Sequence, residues 1–406
     1  PTYNAKNGIV WQDMRMDDNG IFIAYDDPRW DKLLDQLSLD QTIKLLSNGL
    51  RHTEVLSAAG ESTFTYPGTT DPNGPNGIKA GSGNYANDGG FAKIRNDPDA
   101  GLATTAYPCA GILASTFNTD LAEVCGEAYG EEALWAGVNG IYAFTVNLHR
   151  YATHGRMAES YSEDPVLTGY ICGYQSRGCQ NKGLSVYTKH LVLNEQKTNR
   201  KDHESWITEQ ALREVYLKAF EVAIKTGGGR NVMTSFAKIG GVWSGHNKNL
   251  LTNWLRGECG LTGFAVTDYY TKDYMSMKAA VLCGQDLPDG EIQSNHLEFV
   301  KEGNASEVAW AMREAAHRIF YSAVQSSRVN GLAKNVSVSV NVKTPTWVKV
   351  KNAVTISLDV LAVLSACFVL VGYLIPILKT KYAACTLKTA RDKRAVFYVY
   401  FSKLII

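Results

Sequence analysis

The sequence predicts an α/β fold: a (β/α)8 TIM-like barrel followed by a C-terminal transmembrane helix. Three observations predict it. Helix-like and strand-like patterns alternate from about residue 119 onward, which is typical of a parallel sheet with helices outside it. Several apolar strand patterns end in charged or polar side chains, as barrel strands do. Near the C-terminus, residues 353–378 contain a single charged residue, Asp359.

Two helices are expected before the alternating part. Residues 26–37 place Trp30 and several leucines at helical spacing, and a second helix begins at Ser38. Gln41 stands three residues after Ser38, the pattern of a capping box, and Gly49 ends the helix. Residues 58–102 are rich in Gly, Asn, Asp and Pro. Such a long segment with little apolar periodicity favours a binding loop over a plain connector.

The alternating part contains five predicted helices and four predicted strands. The helices cover residues 119–136, 166–182, 205–226, 248–257 and 305–325. The strands cover residues 140–147, 184–188, 231–235 and 263–267. Several such repeats over roughly 300 residues are typical of one large barrel domain, which we assign to residues 1–329.

Composition narrows the function. The 406-residue chain has a formal net charge of +1, so no global field attracts nucleic acid. Its eight cysteines form no CxxC or His/Cys metal pattern, so neither a metal site nor a cofactor is implied. The chain begins at Pro1 without an initiator Met or a signal peptide, as a fragment or processed product would.

The C-terminal part predicts a membrane anchor. Residues 330–352 read as a linker, residues 353–378 are long enough to span a bilayer, and residues 379–406 form a basic tail. Because Lys and Arg are enriched after the span, the tail is predicted to be cytoplasmic, with the barrel outside the cell membrane. The alternative is a buried core helix, which is rarely so long and so apolar.

Four predicted strand ends carry groups suited to chemistry. They are His149 and Arg150 with Arg156, then Lys189 and His190, then Ser235, then Asp268. A carboxylate at a strand end can act as a nucleophile, a general base or a metal ligand. Some of these residues also have a plainer interpretation: Asp268 as a helix N-cap, Lys189 and His190 as a solvated loop pair, and Arg156 as an ion-pair partner of Glu159 or Glu163.

The segments around these residues resemble glycoside hydrolase family 3, the β-glucosidase family. Residues 155–165 (GRMAESYSEDP) resemble its GRNFEYFSEDP-type signature. Residues 186–200 resemble its KHF…NxQExNR segment, and residues 232–270 resemble the segment that ends in its catalytic aspartate. Residues 105–118 and 140–150 also fit, so the resemblance covers about residues 9–326.

This resemblance implies roles for individual residues. Asp268 stands at the position of the family's nucleophile, and a retaining mechanism would follow from that. Arg156, Lys189 and His190 would contact sugar hydroxyls, and Met233 stands where the family has a Met near the nucleophile. The family's Asp-Gly-Pro aspartate corresponds to Asp71 if two residues are inserted, or to Asn73 without a gap. We prefer Asp71, because a carboxylate accepts hydrogen bonds from paired hydroxyls better than an amide does.

Departures from the family indicate a domain-permuted, membrane-anchored branch. Phe236 and Ala237 stand where many members have Tyr-Asn, and Tyr269 stands where a Trp is common. The acid/base glutamate of β-glucosidase-type members comes from a second α/β sandwich domain, which does not follow residue 326. Either such a domain lies upstream of Pro1 in a longer gene product, as a partner, or the chain lacks the acid. Lys189 to Asn194 lack the KHFPGHG-like motif of the N-acetylhexosaminidase branch.

The predicted function is therefore a retaining glycoside hydrolase acting on terminal β-linked glucosides or xylosides, with a small carbohydrate as substrate. One alternative is a catalytically incomplete surface barrel that binds sugars without its acid/base domain. Another is a metal-dependent hydrolase that uses His149, His154, His190 and Asp268, although their spacing matches no metal motif.

Overall fold

The structure is a computed structural model that describes residues 1–57, 65–78, 104–201, 203–271, 273–290, 306–329 and 346–402. It divides into two compact units, Pro1–Val338 and Ser339–Ile406. The predicted loop at residues 58–102 and the linker at 330–352 lie mostly outside the described residues. The two units are therefore described separately.

The first unit mixes short strands with longer helices. Its strands are β1 (His52–Thr53), β2 (Leu56–Ser57), β3 (Thr65–Tyr66), β4 (Thr69–Thr70), β5 (Gly140–Ile141), β6 (Ser185–Leu191), β7 (Glu204–Ser205), β8 (Asn231–Thr234), β9 (Lys238–Ile239), β10 (Val242–Trp243), β11 (Ala265–Tyr269) and β12 (Leu287–Asp289). Its α-helices are Arg29–Leu34, Leu39–Ser47, Ala110–Ala114, Thr119–Ala136, Pro165–Asn181, Glu209–Ala211, Leu217–Gly227, Met277–Leu282 and Ser306–Val324. The π-helical segments are Leu212–Tyr216 and Asn249–Glu258, and the 3-10 turns are Trp11–Met14, Met157–Glu159 and Ser244–His246.

A five-stranded parallel sheet organises this unit. Its order is β12-β11-β8-β6-β5, and every neighbouring pair is parallel. Parallel strands need crossover connections, and helices supply them here. The α/β class and the parallel sheet follow the prediction. Closure of eight strands into a barrel is not seen among the described residues and stays a prediction.

The two faces of the sheet belong to different cores. Val186, Val232 and Ala265 pack in a cluster with the outer helices. Their sequence neighbours Tyr187, Met233 and Val266 pack in a second cluster that also contains Leu287 and the helix Ser306–Val324. Because side chains alternate along a strand, this division fixes which strand-end residues face the second cluster.

Glycines let three outer helices approach closely. A Cβ at Gly126 would collide with Gln175 O, and one at Gly178 would collide with Glu123 O. Both contacts join the helices Thr119–Ala136 and Pro165–Asn181. The helix Leu217–Gly227 meets the second of these at Gly173. Residues without a side chain at these points allow the helices to cover the sheet tightly.

The long predicted helices and the Ser38 cap are present. The side chain of Ser38 accepts from Gln41 N, and the Gln41 side chain accepts from Ser38 N, completing the capping box. The predicted strand at 140–147 is a regular strand only at Gly140–Ile141. Beyond it, Tyr142 forms an isolated bridge to Asn73, and Thr145 forms isolated bridges to Ser160 and Lys189.

The second unit is one helix, Thr346–Ser402, of 57 residues. It begins inside the predicted linker and continues through the predicted tail, since no strong helix breaker precedes Gly372 and Pro376 is tolerated within it. Its segment Thr346–Tyr382 is long and apolar enough to cross a membrane, with a mean hydropathy of 2.5 in its most apolar window. Length and composition alone support that assignment.

Candidate active site

The carboxyl ends of β6, β11 and β12 bring three polar side chains to one edge of the sheet, and β8 adds Met233. Asp268 follows Val266 by two residues on β11, and Asp289 follows Leu287 by two on β12. Lys189 follows Tyr187 on β6, and Met233 lies between them on β8. By strand alternation these four side chains share the face of the second core cluster.

Asp268 lies inside β11 and caps no helix. The next helix begins at Met277 and is capped by the Ser276 hydroxyl, so the N-cap interpretation is wrong. Asp268 Oδ1 accepts a hydrogen bond from Tyr269 N at 2.8 Å. Its Oδ2 is buried and has no hydrogen-bond partner among the described residues. One oxygen is thus held, and the other is available to a reacting atom.

Lys189 lies beside Asn73 and not beside Asp71. Its Nζ donates to Asn73 Oδ1 at 3.1 Å, and its side chain is buried. Burial lowers the pKa of Lys189 to about 7, and the positive charge of Arg156 acts in the same direction. The ammonium group therefore titrates close to neutral pH.

Asp71 is held elsewhere in the core. Its Oδ2 accepts from the Thr69 hydroxyl at 2.5 Å, and the residue is 1% exposed. Burial raises the pKa of Asp71 to about 6, although the Thr69 and Tyr187 hydroxyls lower it. Asp71 is a neighbour of Tyr187, which stands two residues before Lys189 on the same face of β6. Asp71 therefore lies one layer of side chains below the strand ends. Asn73, which corresponds to the family's aspartate without a gap, is the residue whose side chain contacts Lys189.

Asn147 fixes the tautomer of His190. Asn147 Oδ1 accepts from His190 N at 3.0 Å and lies 3.1 Å from His190 Nδ1. Its amide nitrogen donates to His190 O at 3.1 Å and to Glu195 Oε1 at 3.2 Å. Because the amide oxygen is an acceptor, Nδ1 carries the proton. Burial holds the pKa of His190 well below its usual range, so Nε2 presents a lone pair, 3.8 Å from Asp268 Oδ2.

A second buried carboxylate stands next to Asp268. Asp289 pairs in register with Tyr269 across β11 and β12, and its Oδ2 lies 3.0 Å from Arg51 Nη1. Burial raises the pKa of Asp289 to about 7 in spite of Arg51. The Arg51 guanidinium also lies over the Tyr142 ring, 4.4 Å from its centroid. This ion pair closes the site on the side of β12.

Arg156 makes the ion pair that its plainer interpretation predicts. Its Nε and Nη2 donate to Glu159 at 3.0 and 2.6 Å. The guanidinium remains close enough to lower the pKa of both Lys189 and His190. Arg156 therefore contributes positive charge to the site while its Nε and Nη2 remain paired with Glu159.

The other strand-end groups face away. His149 Nε2 contacts Met157 O and Ser160 O, at 3.2 and 2.9 Å. The Arg150 guanidinium lies over the Tyr216 ring at 5.5 Å. Ser235 is fully buried and donates to Val192 O at 2.7 Å. In the part of the chain that the structure describes, no group of three or more His, Cys, Asp or Glu residues could hold a metal ion.

Comparison with known proteins identifies the domain that carries this site. Residues 98–286 match the glycosyl hydrolase family 3 N terminal domain. These residues belong to glycoside hydrolase family 3. Lys189, His190, Met233 and Asp268 all lie within the family 3 domain, whereas Arg51, Asn73 and Asp289 lie outside the matched range.

The relatives of the family 3 domain are named β-glucosidases. Probable β-glucosidase I of Emericella nidulans is 32% identical over 257 residues, which are 63% of this chain and 28% of that protein. β-Glucosidase A of Butyrivibrio fibrisolvens is 37% identical over 201 residues, half of this chain and 24% of that protein. The chain thus spans less than a third of these curated relatives.

Solved structures show the same fold. β-Glucosidase 3B from Thermotoga neapolitana, solved in complex with α-D-glucose, superposes with a TM-score of 0.62 at 31% identity. The superposition covers 74% of this chain and 43% of that one. A β-glucosidase from Kluyveromyces marxianus, solved in complex with glucose, gives a TM-score of 0.64 at 27% identity.

Sequence reasoning missed several residues around the family 3 site. Asp289 ends a three-residue strand that contains Pro288, too short for a periodic signal. Asn147 and Glu195 lie inside segments that resemble the family, but the resemblance assigns neither residue a role. Arg200, whose guanidinium lies 4.5 Å from the Phe236 ring centroid, ends the segment 186–200.

Proposed function

We propose that this chain is the catalytic barrel of a retaining β-glucosidase-like glycoside hydrolase, acting on terminal β-linked glucosides or xylosides. The observation that carries the proposal is the Asp268 carboxylate. It lies one residue before the end of a parallel strand, keeps Oδ2 unpartnered among the described residues, and stands beside Lys189 and His190. The names of the relatives support the same activity.

In the first step, Asp268 Oδ2 attacks the anomeric carbon and the bond to the leaving oxygen breaks, with the electron pair going to that oxygen. A glycosyl ester forms on Asp268. In the second step, water attacks the anomeric carbon and loses a proton to the partner domain's acid/base group or to solvent. The ester C–O bond breaks with its electron pair returning to Asp268, and the sugar leaves with the configuration retained. Each step inverts the anomeric centre once.

The neighbouring residues bind hydroxyls in complementary ways. The Lys189 ammonium donates hydrogen bonds, and His190 Nε2, as a lone pair, accepts one. Arg156, which by resemblance contacts sugar hydroxyls, adds positive charge to the site, and Met233 stands where the family has a Met near the nucleophile. Asn73, with its amide oxygen on Lys189, takes the place that the sequence had assigned to Asp71.

The leaving oxygen needs a proton when it is a poor leaving group. In family 3 enzymes of the β-glucosidase type that proton comes from a second domain, and we propose an α/β sandwich domain as the partner that supplies it. General acid help contributes about 10²–10⁴ in rate. The chain alone is therefore expected to cleave activated aryl glucosides and to leave alkyl glucosides or disaccharides nearly untouched.

A trapping experiment tests the nucleophile. An activated 2-fluoro-β-glucoside slows the second step, so a retaining enzyme accumulates the glycosyl ester. Intact mass should show one glycosyl adduct on the parent chain, none on Asp268→Ala, and one on the control Asp120→Ala, which changes an exposed aspartate at a helix start.

An adduct on Asp268→Ala would rule out Asp268 as the nucleophile. A folded chain that binds glucose without forming any adduct would instead favour a sugar-binding barrel that lacks turnover.

We further propose that the helix Thr346–Ser402 anchors the enzyme in the cell membrane, with the barrel outside and the C-terminus in the cytoplasm. Its most apolar window is wholly exposed within its own unit. Lys379, Lys381 and Lys388 follow the span, which favours a cytoplasmic C-terminal side.

A further inference from the structure

A cavity separate from the Asp268 site opens between the loops that follow β6 and the strand-end segment at Arg150. Its volume is about 440 Å³, within the range of small-molecule sites, roughly 300–1,000 Å³. Trp206 and Tyr151 stand on its rim, and Glu195, Arg150 and Tyr216 line its interior. The function proposed above uses none of these residues.

The rim presents two large aromatic side chains to solvent. Trp206 is 80% exposed and Tyr151 is 59% exposed. Trp206 follows the edge strand β7, whose Ser205 hydroxyl pairs with His203 Nε2 at 2.8 Å. A flat aromatic ring at the mouth of a cavity offers a stacking platform to a ring with one apolar face.

The floor presents a buried carboxylate. Glu195 is 7% exposed, and its Oε1 accepts from Asn147 Nδ2 and from Leu148 N at 3.2 and 3.3 Å. Arg150, whose guanidinium lies over the Tyr216 ring, supplies donors on the facing wall. Burial raises the pKa of Glu195 to about 7, so this group changes charge readily near neutral pH.

Acceptor, donor and aromatic platform together suit a neutral polyhydroxylated ring. A phosphate or a carboxylate ligand would be repelled by Glu195 when it is ionised, and an ammonium ligand would be repelled by Arg150. A sugar ring uses all three features: one face stacks on the aromatic ring while its hydroxyls donate to the carboxylate and accept from the guanidinium.

We infer that this cavity is an accessory saccharide-binding site, distinct from the ring position at Asp268. The inference rests on the proposed function only in taking a sugar as the ligand. The two sites share a wall, because Glu195 holds Asn147 and Asn147 holds His190. Sugar bound in the accessory site therefore contacts Glu195, which accepts a hydrogen bond from the same amide that fixes the His190 tautomer.

The test follows Trp206 directly. The full 406-residue chain is labelled with 5-fluorotryptophan and titrated with cellobiose, and the Trp206 signal is identified by its loss in Trp206→Phe. We expect this ¹⁹F signal to shift saturably in the parent chain and in Lys189→Met, whose change lies in the Asp268 site. The signals of Trp135 and Trp310, exposed on outer helices at 38% and 51%, should stay in place.

A second variant tests the carboxylate. Glu195→Gln keeps an amide oxygen for Asn147 but offers a donor where the ligand needs an acceptor, so the saturating concentration should rise about tenfold. An unchanged saturating concentration would remove Glu195 from the site and overturn the inference.

Hydrolysis of 4-nitrophenyl β-glucoside, measured on the same samples, separates the two proposals. A fixed Trp206 signal in a folded chain overturns the accessory site whether or not the chain turns over. A Trp206 shift that disappears in Lys189→Met also overturns it, because the signal would then report the Asp268 site. A saturable shift that survives in Lys189→Met, without turnover in the parent, contradicts only the proposed glycosidase activity.

Discussion

At the scale of single residues, burial gives Lys189 its unusual charge behaviour, and its hydrogen-bond partner Asn73 carries no charge that would offset it. In the part of the chain that the structure describes, the Lys189 ammonium donates to an amide oxygen and to no carboxylate. The negative charges of Glu159 and Asp268 oppose the effect of burial. The protonated and neutral forms of Lys189 are therefore close in free energy at neutral pH.

The substitution Asn73→Asp should move the alkaline limb of the pH profile. Protonated Lys189 is the hydroxyl donor, so kcat/KM for 4-nitrophenyl β-glucoside should fall as the pH rises through about 7. A carboxylate at position 73 favours the charged form of Lys189 and should shift this limb upward by about 1–3 pH units.

Asn76→Asp is the matched control for that substitution. Asn76 lies in the same Gly-rich segment but donates to Ala158 O at 3.2 Å, away from Lys189. The alkaline limb of the kcat/KM profile of Asn76→Asp should coincide with that of the parent chain. If Asn73→Asp also leaves the limb in place, Lys189 is not the group that titrates in the profile.

Residue roles were predictable only where a motif carried them. Lys189, His190 and Asp268 were chosen from strand ends and from the resemblance, and the structure gathers them at one edge of the sheet. Whether Asp71 or Asn73 corresponds to the family's aspartate depends on whether two residues are inserted here. The hydrogen-bonding preference of a carboxylate over an amide could not decide that. Only the contact with Lys189, between residues 116 positions apart in the chain, distinguishes the two.

At the scale of elements, the segment around Gly49 is fitted against β12. Gly49 N donates to Gly290 O at 3.2 Å, and the Tyr142 hydroxyl donates to Gly49 O at 3.1 Å. A Cβ on Gly49 would collide with Pro288 O and with the Leu287 side chain. This close fit positions Arg51 beside Asp289.

We expect Gly49→Ala to lower the free energy of unfolding by about 1–3 kcal/mol, the usual cost of overpacking. Thermal unfolding followed by circular dichroism should show a lower Tm. Gly257→Ala is the matched control, because a Cβ there lies at ordinary contact distance, 3.7 Å from Thr252 O, on an exposed helical position. Its Tm should equal or exceed that of the parent, and an equal loss in both variants would contradict the fit.

Elements were predictable in proportion to their length. The helices Thr119–Ala136 and Pro165–Asn181 lie within one residue of their predicted bounds, since their apolar stripes and caps are local signals. The short strands β9, β10 and β12 have two or three residues each, and pairing with distant partners defines them. Hydrophobic periodicity cannot predict strands of only two or three residues.

At the scale of the whole molecule, the chain joins a folded α/β unit to a helix that buries none of its most apolar window. Exposed apolar surface of this extent is unfavourable in water. A bilayer would cover it, and a span of about 20 residues would suffice.

The double substitution Leu361→Arg with Leu364→Arg should abolish membrane anchoring. Each arginine near the centre of a span costs about 2.5–3.5 kcal/mol on insertion. After alkaline carbonate extraction the arginine variant should appear in the supernatant, while the control Leu361→Ala with Leu364→Ala should remain in the pellet with the parent chain. Equal pelleting of both variants would contradict a span at these residues.

Only one of the two oxygens of Asp268 accepts a hydrogen bond among the described residues. This difference determines how the site tolerates substitution of the residue that follows Asp268. If Oδ2 forms the glycosyl ester that we propose, Oδ1 becomes the ester carbonyl and keeps its hydrogen bond from Tyr269 N. A main-chain donor polarises that carbonyl and helps the second step whatever side chain follows. Only proline at position 269 would remove it. The exchange of the family's common tryptophan for Tyr269 thus leaves this part of the chemistry intact.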